Sequence, residues 1–143
     1  MDLGLSGKTV IVTGASKGIG LAVARAFVAE GARVGLVARG AEALDAAQAA
    51  LRSLGGEVAV VAADLRAADQ AEQAVAFIEA RLGPVDVLVN SAGAARKRAP
   101  ETLDAAAWRE GLDAKFFTYI HTQDAVCCLL YTSDAADDLL CVD

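Results

Sequence analysis

The sequence predicts an α/β fold built as a doubly wound parallel sheet, and three observations lead there. Short β-branched apolar runs alternate with longer stretches whose apolar residues recur at three- and four-residue spacing. Glycines mark the joins between these segments. The first junction, between an apolar run and a helical stretch, carries Gly14, Gly18 and Gly20. Strands that alternate with helices form parallel sheets covered on both faces, because right-handed crossovers lay each helix back on the sheet.

The elements follow in order. Lys8 to Thr13 is short, apolar and β-branched, and reads as a buried strand that ends at Gly14. From Gly18, the residues Ile19, Ala22, Val23, Ala26 and Phe27 repeat at helical spacing, and Gly31 supplies the stop. Arg33 to Ala38 is a second strand, and Ala41 to Leu54 an alanine-rich helix closed by Gly55-Gly56. Glu57 to Ala62 is a third strand. Asp69 to Leu82 is a third helix, with Asp69 and Glu72 spaced for a capping box and Gly83-Pro84 at its end. Val85 to Val89 is a fourth strand. Asp104 to about Val126 reads as one long helix, with Trp108, Leu112, Phe116, Tyr119 and Ile120 on related faces.

Composition excludes several function classes. The chain has 143 residues, enough for one domain with a core, and 55% are hydrophobic against 22% charged, which marks a globular chain. A net charge of −6 offers no basic field to nucleic acid or an anionic membrane. Residues 1–7 show no leader pattern, and no apolar run reaches the ~20 residues of a membrane span. The expectation is a cytoplasmic protein with no nucleic-acid or membrane partner. The cysteines Cys127, Cys128 and Cys141 all fall late, so neither a disulfide framework nor a metal site is expected. Arg96-Lys97-Arg98 reads as a solvated loop, and His121 as a plain helix residue.

The strongest motif is Thr13-Gly14-Ala15-Ser16-Lys17-Gly18-Ile19-Gly20, between the first strand and the first helix. Gly14 permits a sharp turn, Gly18 a close backbone approach to a ligand, and Gly20 tight helix packing. The free N–H groups at the helix start then face a pyrophosphate. The motif resembles the TGxxxGxG fingerprint of classical short-chain dehydrogenases/reductases. Three further positions agree in order and place. Asp64-Leu65 after the third strand is similar to the pair whose aspartate meets the adenine ring. Asn90-Ser91-Ala92-Gly93 after the fourth strand is similar to the family's NNAG motif, and Trp108 matches a tryptophan near the start of the family's fifth helix. The resemblance spans Leu5 to Val126 and implies a Rossmann-type sheet, truncated after the fourth strand and that fifth helix. It implies a cofactor site at Gly14, Ser16, Lys17, Gly18, Ile19, Gly20, Arg39, Asp64, Leu65, Asn90, Ala92 and Gly93.

Cofactor choice turns on the end of the second strand. NAD-preferring Rossmann enzymes carry an acid there for the ribose 2′-hydroxyl. Here Ala38 is followed by Arg39, which can clamp a 2′-phosphate, and Lys17 is the second basic residue that NADP-preferring members use. NADP(H) is the expected cofactor, with NAD(H) as the other option.

The chain departs from the family at the reacting groups. The family's tyrosine and lysine stand four residues apart, the lysine lowering the tyrosine pKa. Here Tyr119 is followed at that spacing by Gln123, and Tyr131 by Ala135, so no catalytic serine, tyrosine or lysine is assigned. The position of the family's proton-relay asparagine holds Lys115, which could be a partly exposed helix lysine or could point toward the active site. Residues 128–143 change character. Residues 128–137 reproduce the in-frame translation of a transposase-type sequencing-library adapter, so the expected division is an incomplete Rossmann domain over 1–127 and a non-native tail over 128–143.

The leading expectation is therefore a piece of an oxidoreductase, inactive alone. Its full-length parent would move hydride between NADP(H) and a carbonyl/alcohol substrate, as a homo-oligomer. The alternative is a non-catalytic dinucleotide-binding module. A Rossmann-like methyltransferase is disfavoured by the TGxxxGxG spacing.

Overall fold

The computed structural model describes residues 3–94 and 97–134 of the chain. Four parallel strands form one sheet: β1 (Thr9–Thr13), β2 (Arg33–Ala38), β3 (Val58–Ala62) and β4 (Val87–Val89). Their order is β3-β2-β1-β4. The register pairs Val12 with Leu36 on one side and with Val89 on the other, and Leu36 in turn with Val60. The chain thus builds outward from β1 in one direction and then crosses back to place β4 on its other side.

Strand alternation sorts the core into two layers. Val10, Val12, Val34 and Leu36 face α1 (Gly18–Ala29) and α2 (Ala41–Arg52), packing with Ala24, Val28, Leu44 and Leu51. Ile11 and Val37 face the opposite way, toward α3 (Ala68–Leu82) and α5 (Thr118–Asp134), where they meet Val75, Ile78, Ala125 and Val126. Each large aliphatic side chain buried this way contributes roughly 1.5–3 kcal/mol. Polar groups at the lower end are paired. The buried Thr9 hydroxyl donates to the Leu82 carbonyl at 2.8 Å, and the Thr9 N–H to the Asp86 carboxylate at 2.8 Å.

Three expectations need correction. The capping box at Asp69 and Glu72 does not form: α3 begins one residue earlier, after Ala67, with no side-chain cap. Gln70 turns back instead, and its Oε1 accepts the Asp64 N–H at 2.8 Å. The single helix from Asp104 to Val126 is two helices joined by a wider turn. Asp104 caps α4 (Ala105–Leu112) by accepting the Ala107 N–H at 2.8 Å, a π-helical segment follows over Asp113–Phe117, and α5 then starts. Two carbonyls in the wide turn accept bonds from outside the helical ladder. The Ala94 N–H donates to Ala114 O at 3.2 Å, and the Thr118 hydroxyl to Lys115 O at 2.9 Å. Such outside donors offset the ladder bonds lost on widening. Finally, α5 runs to Asp134, past Val126. Residues 135–143 of the expected tail, and Arg96 of the basic loop, lie outside the described residues.

Candidate cofactor cleft

A cleft of about 780 Å³ opens at the carboxyl ends of the strands. It lies where β1 and β4 part company, the switch point at which open α/β sheets bind their ligands. Its floor is the turn after β1. Gly14 takes φ +65°, and its N–H donates to the Val37 carbonyl at 2.7 Å. A Cβ there would lie 2.8 Å from the Ala92 Cα, so this turn and the loop after β4 are in backbone contact. A Cβ at Gly20 would lie 2.4 Å from the Gly14 carbonyl oxygen, so α1 seats directly on the turn. Gly18 differs: it takes φ +58° and its side-chain position meets no atom within 4 Å. The first turn of α1 has no side-chain cap and no acidic residue. Its N–H groups therefore offer an anion site, exposed on the side that Gly18 leaves open.

Hydroxyl groups tie the rim together. The Thr13 Oγ1 accepts the N–H groups of Ser91 and Ala92, each at 3.0 Å. The Thr122 hydroxyl, from α5, donates to the Asn90 Oδ1 at 2.8 Å and also lies 2.8 Å from the Thr118 carbonyl. His121 reaches the Leu65 carbonyl at 2.9 Å through Nδ1, and because a carbonyl only accepts, Nδ1 carries the proton. These contacts hold the loops after β1, β3 and β4 against α5.

The residues expected to bind cofactor fall into two sets. Gly14, Ser16, Lys17 and Arg39 line the cleft on the β1–β2 side, and Asp64, Leu65, Ala92 and Gly93 line it further along. Gly18, Ile19 and Gly20 form the first turn of α1, with Ile19 79% exposed. Asn90 sits behind the rim, held by Thr122. Lys115, in the π-helical segment, lines the cleft: its stem runs over Gly93, 2.8 Å from where a Cβ would stand, and its Nζ lies 5.6 Å from the Tyr119 ring centre. Trp108 is 62% exposed and lines the facing wall, and Arg98 there pairs with Glu110.

Lys17 and Arg39 make no ion pair among the described residues, although both face the cleft. Two lysine- and arginine-borne charges left without a carboxylate partner suit an anionic ligand. Asp64 is different. Arg66 grips its carboxylate, and that hydrogen-bonded guanidinium, helped by the more distant Arg39, holds the Asp64 pKa below the usual carboxylate range against the opposing effect of partial burial. Sequence reasoning missed Arg66 and the hydroxyls of Thr13 and Thr122. Only Thr13 carried a signal, as the first residue of the glycine motif.

The family profile described as short chain dehydrogenase matches residues 8–137. The chain belongs to the short-chain dehydrogenase family. Gluconate 5-dehydrogenase from Gluconobacter oxydans is 38% identical over 117 residues, covering 79% of this chain and 46% of that protein. Among solved structures, the F189W variant of actinorhodin polyketide ketoreductase with NADPH superposes with a TM-score of 0.83 at 34% identity, covering 94% of this chain and 51% of the other. An NADPH-bound short-chain oxidoreductase from Pseudomonas aeruginosa, which contains an atypical catalytic centre, gives a TM-score of 0.82 at 35% identity, covering 87% of this chain and 49% of the other. This member of the family thus spans about half the length of the relatives it matches.

Proposed function

We propose that this chain binds NADP(H) in the cleft, as the cofactor-binding part of an oxidoreductase that moves hydride between NADP(H) and a carbonyl/alcohol pair. The observation that carries the proposal is the uncapped start of α1 flanked by Lys17 and Arg39, neither of them ion-paired among the described residues. In this reading the N–H groups around Ser16, Gly18, Ile19 and Gly20 hold the pyrophosphate, while Lys17 and Arg39 take the 2′-phosphate. Asp64 and Leu65 meet the adenine. Asn90, Ala92 and Gly93 line the way to the nicotinamide end, where Lys115 also stands. The bound nicotinamide would supply the hydride chemistry. The NADPH carried by two of the structural relatives supports the choice of cofactor.

The chain alone is proposed to be inactive, because no tyrosine is followed four residues later by a lysine. The proposal places the homo-oligomeric parent in the cytoplasm, in keeping with the absence of cysteine before Cys127. It takes residues 128–143 as a non-native tail, which sequencing of the source DNA across those codons tests directly. Trp108 is the only tryptophan and lines the cleft, so energy transfer from it to a reduced nicotinamide reports binding. NADPH should bind the full chain roughly tenfold or more tighter than NADH, the worth of a charge-assisted clamp on one phosphate. Equal affinities, or none for either, would overturn the reading.

A further inference from the structure

Arg66 belongs to no motif, yet its geometry is specific. Its Nε lies 3.0 Å from each Asp64 carboxylate oxygen, its Nη2 2.5 Å from Oδ2, and its backbone N–H 3.1 Å from Oδ1. The Asp64 N–H is itself held by Gln70. A carboxylate offers about four acceptor sites. Three hydrogens from Arg66 engage it, the Nε hydrogen shared between both oxygens, yet the Asp64 side chain is still 29% exposed and lines the cleft with Arg66, so an oxygen edge stays within reach of a ligand donor. On its far side Arg66 faces Glu110 and Asp113 across a shallow groove. The Asp64 contact, with smaller help from these two carboxylates, raises the guanidinium pKa above its ordinary value.

We infer that Arg66 is a positioning residue for the purine end of the cleft: it clamps Asp64 so that one acceptor site is presented to the exocyclic amine of adenine, and the site thereby discriminates against a 6-oxo purine. The inference rests on the reading that the adenine of NADP(H) meets Asp64. A 6-oxo group would bring an acceptor against an acceptor. A freely rotating carboxylate could turn away from it, whereas a clamped one cannot. Arg66 is 49% exposed in its side chain and belongs to neither core layer, so replacing it should leave the packing intact.

The test measures binding of NADPH and of its hypoxanthine counterpart to the full chain, by energy transfer from Trp108. The unsubstituted chain should prefer NADPH by roughly tenfold, the worth of one hydrogen bond to a charged group. Arg66→Ala should bring that ratio toward one. It should also move the acid-side loss of NADPH binding to higher pH, because Asp64 loses the partner that keeps it ionised. Arg66→Lys keeps the charge without the fork and should fall between the two. Asp64→Asn separates the two ideas. If it abolishes the preference while Arg66→Ala leaves ratio and pH profile unchanged, the clamp is refuted and the adenine reading stands. If Asp64→Asn also changes nothing, or the unsubstituted chain shows no preference, the adenine reading fails and the clamp with it.

Discussion

Replacing Gly20 by alanine tests the seating of α1 on the glycine turn. In an unobstructed helix this change favours folding by about 1 kcal/mol. Here the new Cβ would stand 2.4 Å from the Gly14 carbonyl oxygen, 2.9 Å from its carbon and 3.0 Å from the Ala15 Cα. All three are backbone atoms and cannot swing aside. Ordinary contact begins at 3.4 Å, so helix and turn must part by roughly 1 Å. The turn is held from below by the 2.7 Å bond from Gly14 N–H to Val37 O, and from the side by Ala92. Overpacking of this kind costs typically 1–3 kcal/mol, which offsets the helix gain and leaves a net loss of about 0–2 kcal/mol. Urea unfolding followed by circular dichroism, with the slope compared between variants, gives the number. Gly18→Ala is the partner measurement. It meets no atom, so it should cost only about 1 kcal/mol for its left-handed backbone, while a methyl there intrudes on the anion site and weakens NADPH binding. A Gly20→Ala chain more stable than the parent would refute the reasoning.

Other substitutions probe the rest of the site. Arg39→Asp should invert the cofactor preference, because it replaces a cation facing the 2′-phosphate with an acid suited to a ribose hydroxyl; the NADPH to NADH affinity ratio should fall about a hundredfold or more, and an unchanged ratio would sink the assignment of Arg39. Thr122→Val removes the hydroxyl that holds Asn90, and unfolding should show a loss of about 1 kcal/mol. Asp86 has its pKa lowered, first by the Thr9 N–H and then by Lys8. Its folded value lies below the unfolded one, so its stabilising effect is complete at neutral pH and disappears as pH falls through the lowered value. The acid limb of the stability profile, below about pH 4, should be less steep in Asp86→Asn, whose amide oxygen still accepts the Thr9 N–H.

The sheet was legible because β1 and β2 are buried on both faces, and such strands read as unbroken apolar runs bounded by glycine. Arg33–Ala38 is found with both ends as expected. The glycine turn was legible for a similar reason: each glycine does something no other residue can do at that place. What failed to show in the sequence depends on partners far along the chain. The spacing of Trp108, Leu112, Phe116 and Tyr119 fits a regular helix, and nothing in it announces that Ala94 reaches the Ala114 carbonyl. Along the same pattern, Trp108, Leu112 and Phe116 are 62%, 48% and 53% exposed. Apolar periodicity records which residues favour burial, not whether anything covers them. Arg66 escaped notice because an arginine two residues after an acid is unremarkable until the loop folds it back on Asp64.

The wide turn at Asp113–Phe117 also sets a phase. One residue more than a regular helical turn rotates everything after it by about 100° relative to what comes before. On a continuous helix Trp108 and Thr122 would point within about 40° of one another; the wide turn swings them apart by about 100° more. Trp108 therefore lines the cleft while Thr122 turns to Asn90 behind its rim, a division of work that one regular helix could not give these two positions.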